Sequence, residues 1–157
     1  MAIDCYLQIP SLNSESLSKD FLGQFLLESF SFDVATSVNN NGSVSAPNFS
    51  SLAITIAYDS AAPILFFDVC AGSNLGTCVI TMRKSAGAAK SGFVFAKWTL
   101  DNVILTEMSM NSDPSQMAIN LSLAFSRFTF ESDTQKPDGT LGRKTVRYWD
   151  ISRNQGG

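Results

Sequence analysis

Apolar residues recur at every second position along several segments, and this alternation constrains the fold most. In the run MAINLSLAF, residues 117–125, every second side chain from Met117 to Phe125 is apolar. A period of two places those side chains on one face of an extended strand. Shorter segments with the same alternation are residues 30–34, 52–58 and 77–84. The pattern predicts a mainly β protein.

The alternation changes phase after residue 125. Phe128 and Phe130 fall on even positions, whereas the preceding apolar residues fall on odd positions. Such a slip indicates a bulge or bend near Ser126 and Arg127, where a strand leaves one sheet and joins another. Such a corner is needed in a β-barrel or a β-sandwich, and the length of the chain predicts one domain over residues 1–157.

Two turns are predicted from local composition. Asp101 and Asn102 separate two strand-like segments, 91–100 and 103–110, and their side chains suit a two-residue hairpin loop. Near the end of the chain, KPDGTLG precedes the strand KTVRYWDI. Proline and glycine in this run favour a reversal of the chain. The residues predicted to form this structural turn and closing strand are Lys136, Asp138, Gly139, Trp149 and Asp150.

One helix is predicted at about residues 60–71. Ser60 can cap it, Pro63 falls in its first turn, and Gly72 can adopt the left-handed conformation that ends a helix. Its body is apolar nearly all round except for Asp68. Such a helix contacts other elements on more than one side, either inside its own domain or against a second subunit.

The segment SVNNNGSVSAPN, residues 37–48, is predicted to protrude as a loop. It is rich in asparagine and glycine and is too long for a tight hairpin. Two interpretations remain open, a surface loop without contacts and a contact arm that orders against a neighbouring molecule.

Composition excludes several classes of protein. A chain of 157 residues with 45% hydrophobic and 16% charged residues is compact rather than disordered. Its net charge of −3 provides no basic field for nucleic acid. No apolar run approaches the roughly 20 residues of a membrane span. The N-terminal sequence, with Asp4, does not resemble a Sec-type signal peptide. The three cysteines, Cys5, Cys70 and Cys78, are typical of a protein made in a reducing compartment.

Side chains for common catalytic mechanisms are missing or unpaired in the sequence. The chain has no histidine, which excludes Ser-His and Cys-His nucleophiles and imidazole metal sites. The run GSNLGT at 72–77 follows the predicted helix and lacks a lysine, so it is not a phosphate-binding loop. We expect no catalytic residue, no cofactor and no metal.

The order of these features resembles the haemolysin co-regulated proteins (Hcp), which form the tube of bacterial type VI secretion systems. The resemblance spans nearly the whole chain. MAIDCYLQI is similar to the opening strand of that family, and FSFDVATS is similar to its strand with paired aromatic residues. ITIAYDSAAPILFFDVCAG resembles its strand, proline-containing cap and single helix. NLSLAFSRFTFESDTQKPDGTLG followed by VRYWDI is similar to its closing block.

The resemblance implies a two-sheet antiparallel β-barrel with one helix. It also implies that this subunit forms hexameric rings, which stack into a hollow tube and are exported from the bacterial cytoplasm. Sheath proteins, spike or baseplate proteins and small effectors are its implied partners. Ser31 corresponds to a lumen-facing serine between two aromatic residues, which implies contact with effectors. The segment 37–48 would then be the ring-stacking loop, with contacts from Asn39, Asn40, Asn41, Gly42, Ser43 and Val44.

Two other functions remain open at this stage. A monomeric β-barrel that binds a small ligand or glycan would use Trp98 or Trp149 as a platform. A ring that serves chiefly as an effector carrier or chaperone would bind small secreted proteins through Ser31 and its neighbours.

Overall fold

The computed structural model describes residues 3–15, 21–84, 92–113, 117–136 and 141–157. These residues form twelve strands and one helix. In chain order the elements are β1 (Ile3–Gln8), β2 (Phe25–Ser31), β3 (Val34–Ala35), β4 (Asn48–Phe49), β5 (Leu52–Ala57), α1 (Ala62–Ala71), β6 (Cys78–Lys84), β7 (Phe93–Asp101), β8 (Ile104–Ser112), β9 (Met117–Ala124), β10 (Arg127–Gln135), β11 (Leu141–Asp150) and β12 (Gln155–Gly156).

Ten strands form one antiparallel sheet in the order β12-β11-β10-β7-β6-β1-β2-β5-β9-β8. Strands β3 and β4 form a separate small sheet. The predicted mainly β, antiparallel fold with one helix is confirmed. The sheet differs from the predicted barrel in one respect: among the described residues, its two end strands, β8 and β12, are not paired with each other.

The large sheet curls so that its two halves face each other. The Phe30 ring on β2 lies 6.1 Å from the Trp98 ring on β7, although two other strands separate β2 from β7 in the sheet. Phe32, just after β2, lies 5.8 Å from Phe128 on β10. We call this group the aromatic cluster; its members are Phe30, Phe32, Phe49, Trp98, Phe125, Phe128 and Phe130.

A second, aliphatic part of the core lies between the curled sheet and the inner side of α1. The side chains of Leu7, Ile56, Leu65, Leu100 and Ile119 are each almost completely buried there. These residues come from four strands and the helix. The alternation noted in the sequence therefore places one face of each of these strands in a single core.

The predicted break after residue 125 is present, but β9 and β10 on its two sides belong to the same ten-stranded sheet rather than to two sheets. Strand β9 pairs with β5 and β8, whereas β10 pairs with β7 and β11. The chain changes partners across Phe125 and Ser126, where the apolar phase slips. The N–H of Ser126 donates to the carbonyl of Asp101, and Ile151 donates to the carbonyl of Ser126, which fixes this corner.

The predicted hairpin at Asp101 and Asn102 is wrong. Strand β7 pairs with β6 and β10, and β8 pairs with β9, so these consecutive strands are not neighbours. Val103 decides the course of the chain, because its side chain is completely buried. Its N–H donates to the Gly76 carbonyl at 3.0 Å, and its own carbonyl accepts from Leu75 at 2.8 Å. Asn102, with φ of 55°, turns the chain into this crossover.

The helix lies where the sequence predicts it, but a different residue orders its start. Pro63 lies in the first turn, and Gly72 ends the helix with φ of 63°. The residue at the N-cap is Ala61, with no side-chain cap bond, so the Ser60 cap is wrong. The carboxylate of Asp59 instead accepts from the Ala61 N–H at 2.9 Å. Of the helices described, none has the length and apolar character needed to cross a membrane.

Strands β10 and β11 are antiparallel neighbours, with Phe128 opposite Trp149 and Arg127 opposite Asp150. Lys136 follows β10 and is exposed. Asp138 and Gly139, two of the residues predicted to form the structural turn, lie outside the described residues. The two-residue strand β12 then pairs with the end of β11.

Candidate assembly surfaces

Residues 34–49 form an extended hairpin, which we call the arm. Its base is the pair β3 and β4, and Val38 pairs with Val44 nearer the tip. The N–H of Asn39 donates to the Ser43 carbonyl at 2.8 Å, and Gly42 turns the tip with φ of 85°. The prediction of a protruding loop is therefore refined, because this segment is an ordered hairpin rather than an irregular loop.

The arm carries apolar side chains that have little to pack against within the chain. Val34, Val38 and Val44 are 59%, 68% and 63% exposed. Val38 and Val44 are directly opposite each other across the hairpin, so they share a face. Backbone and serine hydrogen bonds stabilise the arm, including the Ser37 N–H to the Ser45 hydroxyl at 2.9 Å. The arm is thus ordered by polar contacts while its valines stay in solvent.

An open apolar groove of about 420 Å³ lies between the arm and the end of the sheet. We call it the arm groove. No charged residue lines it, and the residues that do are Val34, Thr36, Val44, Ser45, Pro47, Phe49, Phe128 and Trp149. Trp149 is half-buried at this position, beside the aromatic cluster.

The outer side of α1 forms the second exposed apolar surface. Only Ala62 and Leu65 of the helix are buried, whereas Ile64, Phe66 and Phe67 are 50%, 51% and 65% exposed. Beside the helix, an open pocket of about 410 Å³ is lined mainly by apolar residues. We call the whole surface the helix patch; it consists of Tyr58, Ile64, Phe66, Phe67, Met110 and Met117.

A buried carboxylate fixes the helix patch to the body of the protein. Asp59, only 6% exposed, accepts hydrogen bonds from the Ser14 hydroxyl at 2.5 Å and the Glu15 N–H at 3.2 Å. Together with the bond from Ala61, these contacts tie the start of α1 to the segment after β1. Tyr58 also donates its N–H to the Met117 carbonyl. The patch is therefore a preformed surface.

A third surface is a polar wall on the face of the sheet that points away from the core. Ser31 is exposed at the end of β2, opposite Ala53 on β5, and Ala53 is opposite Ser122 on β9. In the next row, Thr55 donates its hydroxyl to the Asn120 side-chain oxygen at 2.7 Å. The wall crosses four strands, β2, β5, β9 and β8, with small polar side chains, and the exposed Glu107 lies opposite Ser122 on β8. We define it by Ser29, Ser31, Ala53, Thr55, Ser109, Asn120 and Ser122.

Asp150 ends the closing strand and orders the turn that follows it. Its carboxylate accepts from the Ser152 hydroxyl at 2.6 Å and the Arg153 N–H at 3.0 Å. The Ser152 bond, followed by the Arg153 backbone bond, holds the pKa of Asp150 below its usual value. Asp150 is thus a structural residue of the turn.

The three cysteines lie in different environments and none is in a disulfide. Cys70 is exposed on α1, one turn after Phe66. Burial raises the pKa of the Cys78 thiol to about 12, and burial followed by the Asp4 charge raises that of Cys5. Within the described ranges, no three acidic or cysteine side chains come together in a way that could hold a metal ion.

The structure separates the residues singled out in the sequence. Ser31 lies on the polar wall, residues 39–44 form the tip of the arm, and Trp149 lines the arm groove. Trp98 is packed within the aromatic cluster, with its ring 4.1 Å from that of Phe130. Sequence reasoning missed Tyr58, Met110 and Met117 as part of one surface with the helix, because only the fold brings these distant residues together.

Comparison with known proteins agrees with the fold. A protein of known structure described as a type six secretion system protein superimposes with a TM-score of 0.89, at 18% identity, over 99% of this chain and 100% of its own. Hcp1 from Salmonella typhimurium superimposes with a TM-score of 0.79, at 19% identity, over the full length of both chains. A type VI secretion system effector from Yersinia pestis gives 0.76 at 16% identity, over 94% of this chain and 100% of its own.

At these identities the structural similarities establish a shared fold. No curated protein matches the sequence. The family described as "Type VI secretion system effector, Hcp" matches residues 6–131, which is most of the chain. Because this match covers the strands of the polar wall, the arm and the helix together, the chain belongs to the Hcp family of the type VI secretion system.

Proposed function

We propose that this chain is a subunit of the inner tube of a type VI secretion system. Six copies form a ring, rings stack into a hollow conduit, and the assembled protein is exported from the bacterial cytoplasm by the secretion machine. In this role the protein acts through its surfaces rather than through catalysis.

Membership of the Hcp family, together with unsatisfied apolar surface on a folded chain, supports this proposal most directly. A soluble monomer rarely leaves large contiguous apolar patches in water, and such patches mark interaction sites. Here both the helix patch and the arm groove are open and uncharged. If the chain is a structural subunit, neighbouring molecules in the assembly cover these two surfaces.

The polar wall is suited to line the lumen of the ring. Small side chains such as Ser31, Ala53 and Ser122 leave few projecting groups on this surface, which lets a passenger pass without tight binding. In this proposal small effectors contact Ser31 and its neighbours. Sheath proteins contact the outside of the tube, and spike or baseplate proteins contact its end.

The particle mass in solution tests the proposal. Light scattering on the purified protein should give six times the 17.0 kDa chain mass, or multiples of that ring. Negative-stain images should show closed annuli with a central hole. A strictly monomeric species at high concentration would contradict the proposal.

Effector carriage is tested separately from assembly. A Ser31→Gln variant should keep its ring mass but recover fewer small secreted proteins in a pull-down, because a longer side chain obstructs the wall. A Ser132→Gln variant, changed at an exposed position of β10 outside the polar wall, serves as the control. Equal recovery by both variants and the unchanged protein would leave a conduit without a carrier role.

The alternative of a monomeric ligand- or glycan-binding barrel receives less support. Trp98 contacts Phe30, Phe32, Phe128 and Phe130, so its ring is used for packing. Trp149 lines an open groove, but only one wall of that groove is formed by the sheet.

A further inference from the structure

The strands of the polar wall carry charge of only one sign. Strands β2, β5, β9 and β8 contain two charged residues between them, and both are glutamates, Glu28 and Glu107. The sequence has no lysine or arginine over residues 20–82 or 98–126, so the segments next to these strands add no positive charge. The wall is therefore negative.

The positive charges of the large sheet all lie in its other half. Lysine and arginine side chains occur twice on β6, once each on β7 and β10, and three times on β11. The same four strands carry four acidic residues, so their charges are mixed. The two halves of one sheet thus differ in the sign of the charge that they present.

Glu107 lies in the same row of the wall as Ser31. Ser31 on β2 is opposite Ala53 on β5. Ser122 on β9 is opposite Ala53 on one side and Glu107 on the other. Both Ser31 and Glu107 are exposed, and three strand spacings place them about 14 Å apart. A protein that contacts Ser31 therefore also meets the charge of Glu107.

Glu28 lies on the same strand as Ser31, in a β-bulge. The register of β2 against β5 shifts between Leu27 and Ser29, and Glu28 is the extra residue. Leu27 is buried in the core, whereas Glu28 and Ser29 are exposed. Because the core covers the other face of β2, these two exposed side chains project on the face of the wall.

Neither glutamate is neutralised by a neighbour. Over the stretches that the structure describes, the carboxylates of Glu28 and Glu107 have no ion-pair or hydrogen-bond partner. They lie on the two outer strands of the wall, with β5 and β9 between them. At that separation they cannot bind one metal ion together, so their joint effect is a negative field across the wall.

We infer that the polar wall selects passengers of positive charge, namely small proteins or segments rich in lysine and arginine. This inference rests on the proposed tube function and names the chemistry of the effector that contacts Ser31. In a ring, the two glutamates of every copy face one lumen. An enclosed space lined by charge of one sign attracts the opposite charge more strongly than a flat surface does. Acidic proteins are repelled from it.

Peptide binding to the assembled protein tests this inference. The probes are two fluorescent peptides of equal length, oligolysine and oligoglutamate, and fluorescence anisotropy measures their binding to purified rings. Oligolysine should bind at low salt and lose affinity as the salt concentration rises, because salt screens the carboxylates. Oligoglutamate should not bind. Equal binding of the two peptides, or oligolysine binding that does not change with salt, would overturn the inference.

A pair of double variants tests whether the binding depends on the polar wall. Glu28→Gln with Glu107→Gln should weaken oligolysine binding by about tenfold or more. The matched control, Asp68→Asn with Asp133→Asn, removes the same charge from α1 and β10 and should change the affinity by less than about twofold. Both double variants should keep the ring mass. An equal loss of affinity in the two would mean that the net charge of the chain attracts the peptide, and the inference would be wrong.

Charge reversal gives an independent readout. Glu28→Lys with Glu107→Lys should make the rings bind oligoglutamate and release oligolysine, because the field of the wall then changes sign. Such a gain of binding cannot result from damage to the fold. Rings of this variant that keep the preference of the unchanged protein would also overturn the inference.

The two proposals fail in distinguishable ways. If the unchanged protein is strictly monomeric, no lumen exists, and the tube function and the charge selection are both wrong. If it forms hexamers that bind both peptides equally or bind neither, only the charge selection is wrong.

Discussion

The aromatic cluster and the helix patch use the same residue type for different purposes. Phe32 contacts four other aromatic rings within its own chain, at centroid distances of 5.4 to 5.8 Å. Phe66 and Phe67 are more than half exposed. The first region closes the curled sheet, and the second leaves its apolar area exposed. Apolar character alone therefore does not separate the core from an exposed surface.

Removing a ring from the aromatic cluster should lower the free energy of unfolding more than any other change considered. We expect Phe32→Ala to lower the free energy of unfolding by about 3 kcal/mol, because it removes ring contacts and leaves a cavity. Urea unfolding followed by circular dichroism, at a concentration where the chain is unassembled, measures this. A loss below about 1 kcal/mol would mean that the cluster does not hold the two halves of the sheet together.

Removing the Asp59 carboxylate, which orders the start of α1, should have the next largest effect on the free energy of unfolding. We expect Asp59→Ala to lower the free energy of unfolding by about 2 kcal/mol, because three hydrogen bonds to a charged group are lost. Ser60→Ala is the control and should cost less than about 0.5 kcal/mol, since Ser60 does not cap the helix. Equal losses in the two variants would contradict the assignment of the helix start to Asp59.

Changing the helix patch should hardly affect the stability of the single chain. We expect Phe67→Ala to change the free energy of unfolding by about 0.5 kcal/mol or less, since the side chain is mostly in solvent already. The same urea experiment measures it beside Phe32→Ala. A loss as large as that of Phe32→Ala would show that Phe67 belongs to the core of its own chain.

The least perturbing test changes no residue. In the unassembled chain at pH 8, Cys70 should react with iodoacetamide fastest and Cys78 should react only after unfolding. The thiolate is the reactive form, and Cys78 is buried with its pKa raised to about 12. Mass spectrometry of labelled peptides measures the rates. Slow labelling of Cys70 in the unassembled chain would mean that this side of α1 is covered within one copy.

Much of the fold could be predicted because a strand with one buried face has apolar residues at every second position of its sequence. The alternation in 117–125 identified β9, and the phase slip located the corner at Phe125 and Ser126. Gly72 marked the end of α1 because few other residues tolerate a φ of 63°. Each of these features depends only on residues that are close together in the sequence.

The errors arose where distant residues decide the structure. Asp101 and Asn102 suit a hairpin loop locally, but burial of Val103 and its bonds to Leu75 and Gly76 send the chain across the fold. Ser60 is of a residue type that often caps helices. The start of α1 is instead ordered by the Asp59 carboxylate, which accepts hydrogen bonds from the Ala61 N–H and from the distant Ser14 hydroxyl. The arm was predicted as an irregular loop because its sequence is rich in polar residues. It is an ordered hairpin because hydrogen bonds within the segment, such as that from Ser37 to Ser45, hold it. The candidate surfaces likewise combine residues from separate segments.

The crossover at Val103 also bears on how the chain reaches its native state. Strands β7 and β8 follow each other in sequence but lie in opposite halves of the sheet, so they cannot form a local hairpin with each other. Each pairs with a strand next to it in sequence, β7 with β6 and β8 with β9. The rest of the sheet requires pairings between remote segments, such as β5 with β9 and β7 with β10. Topologies dominated by such remote pairings fold in about milliseconds to seconds rather than microseconds. During that interval unpaired strands are available to other chains, so aggregation competes with folding when the chain is synthesised rapidly at high concentration.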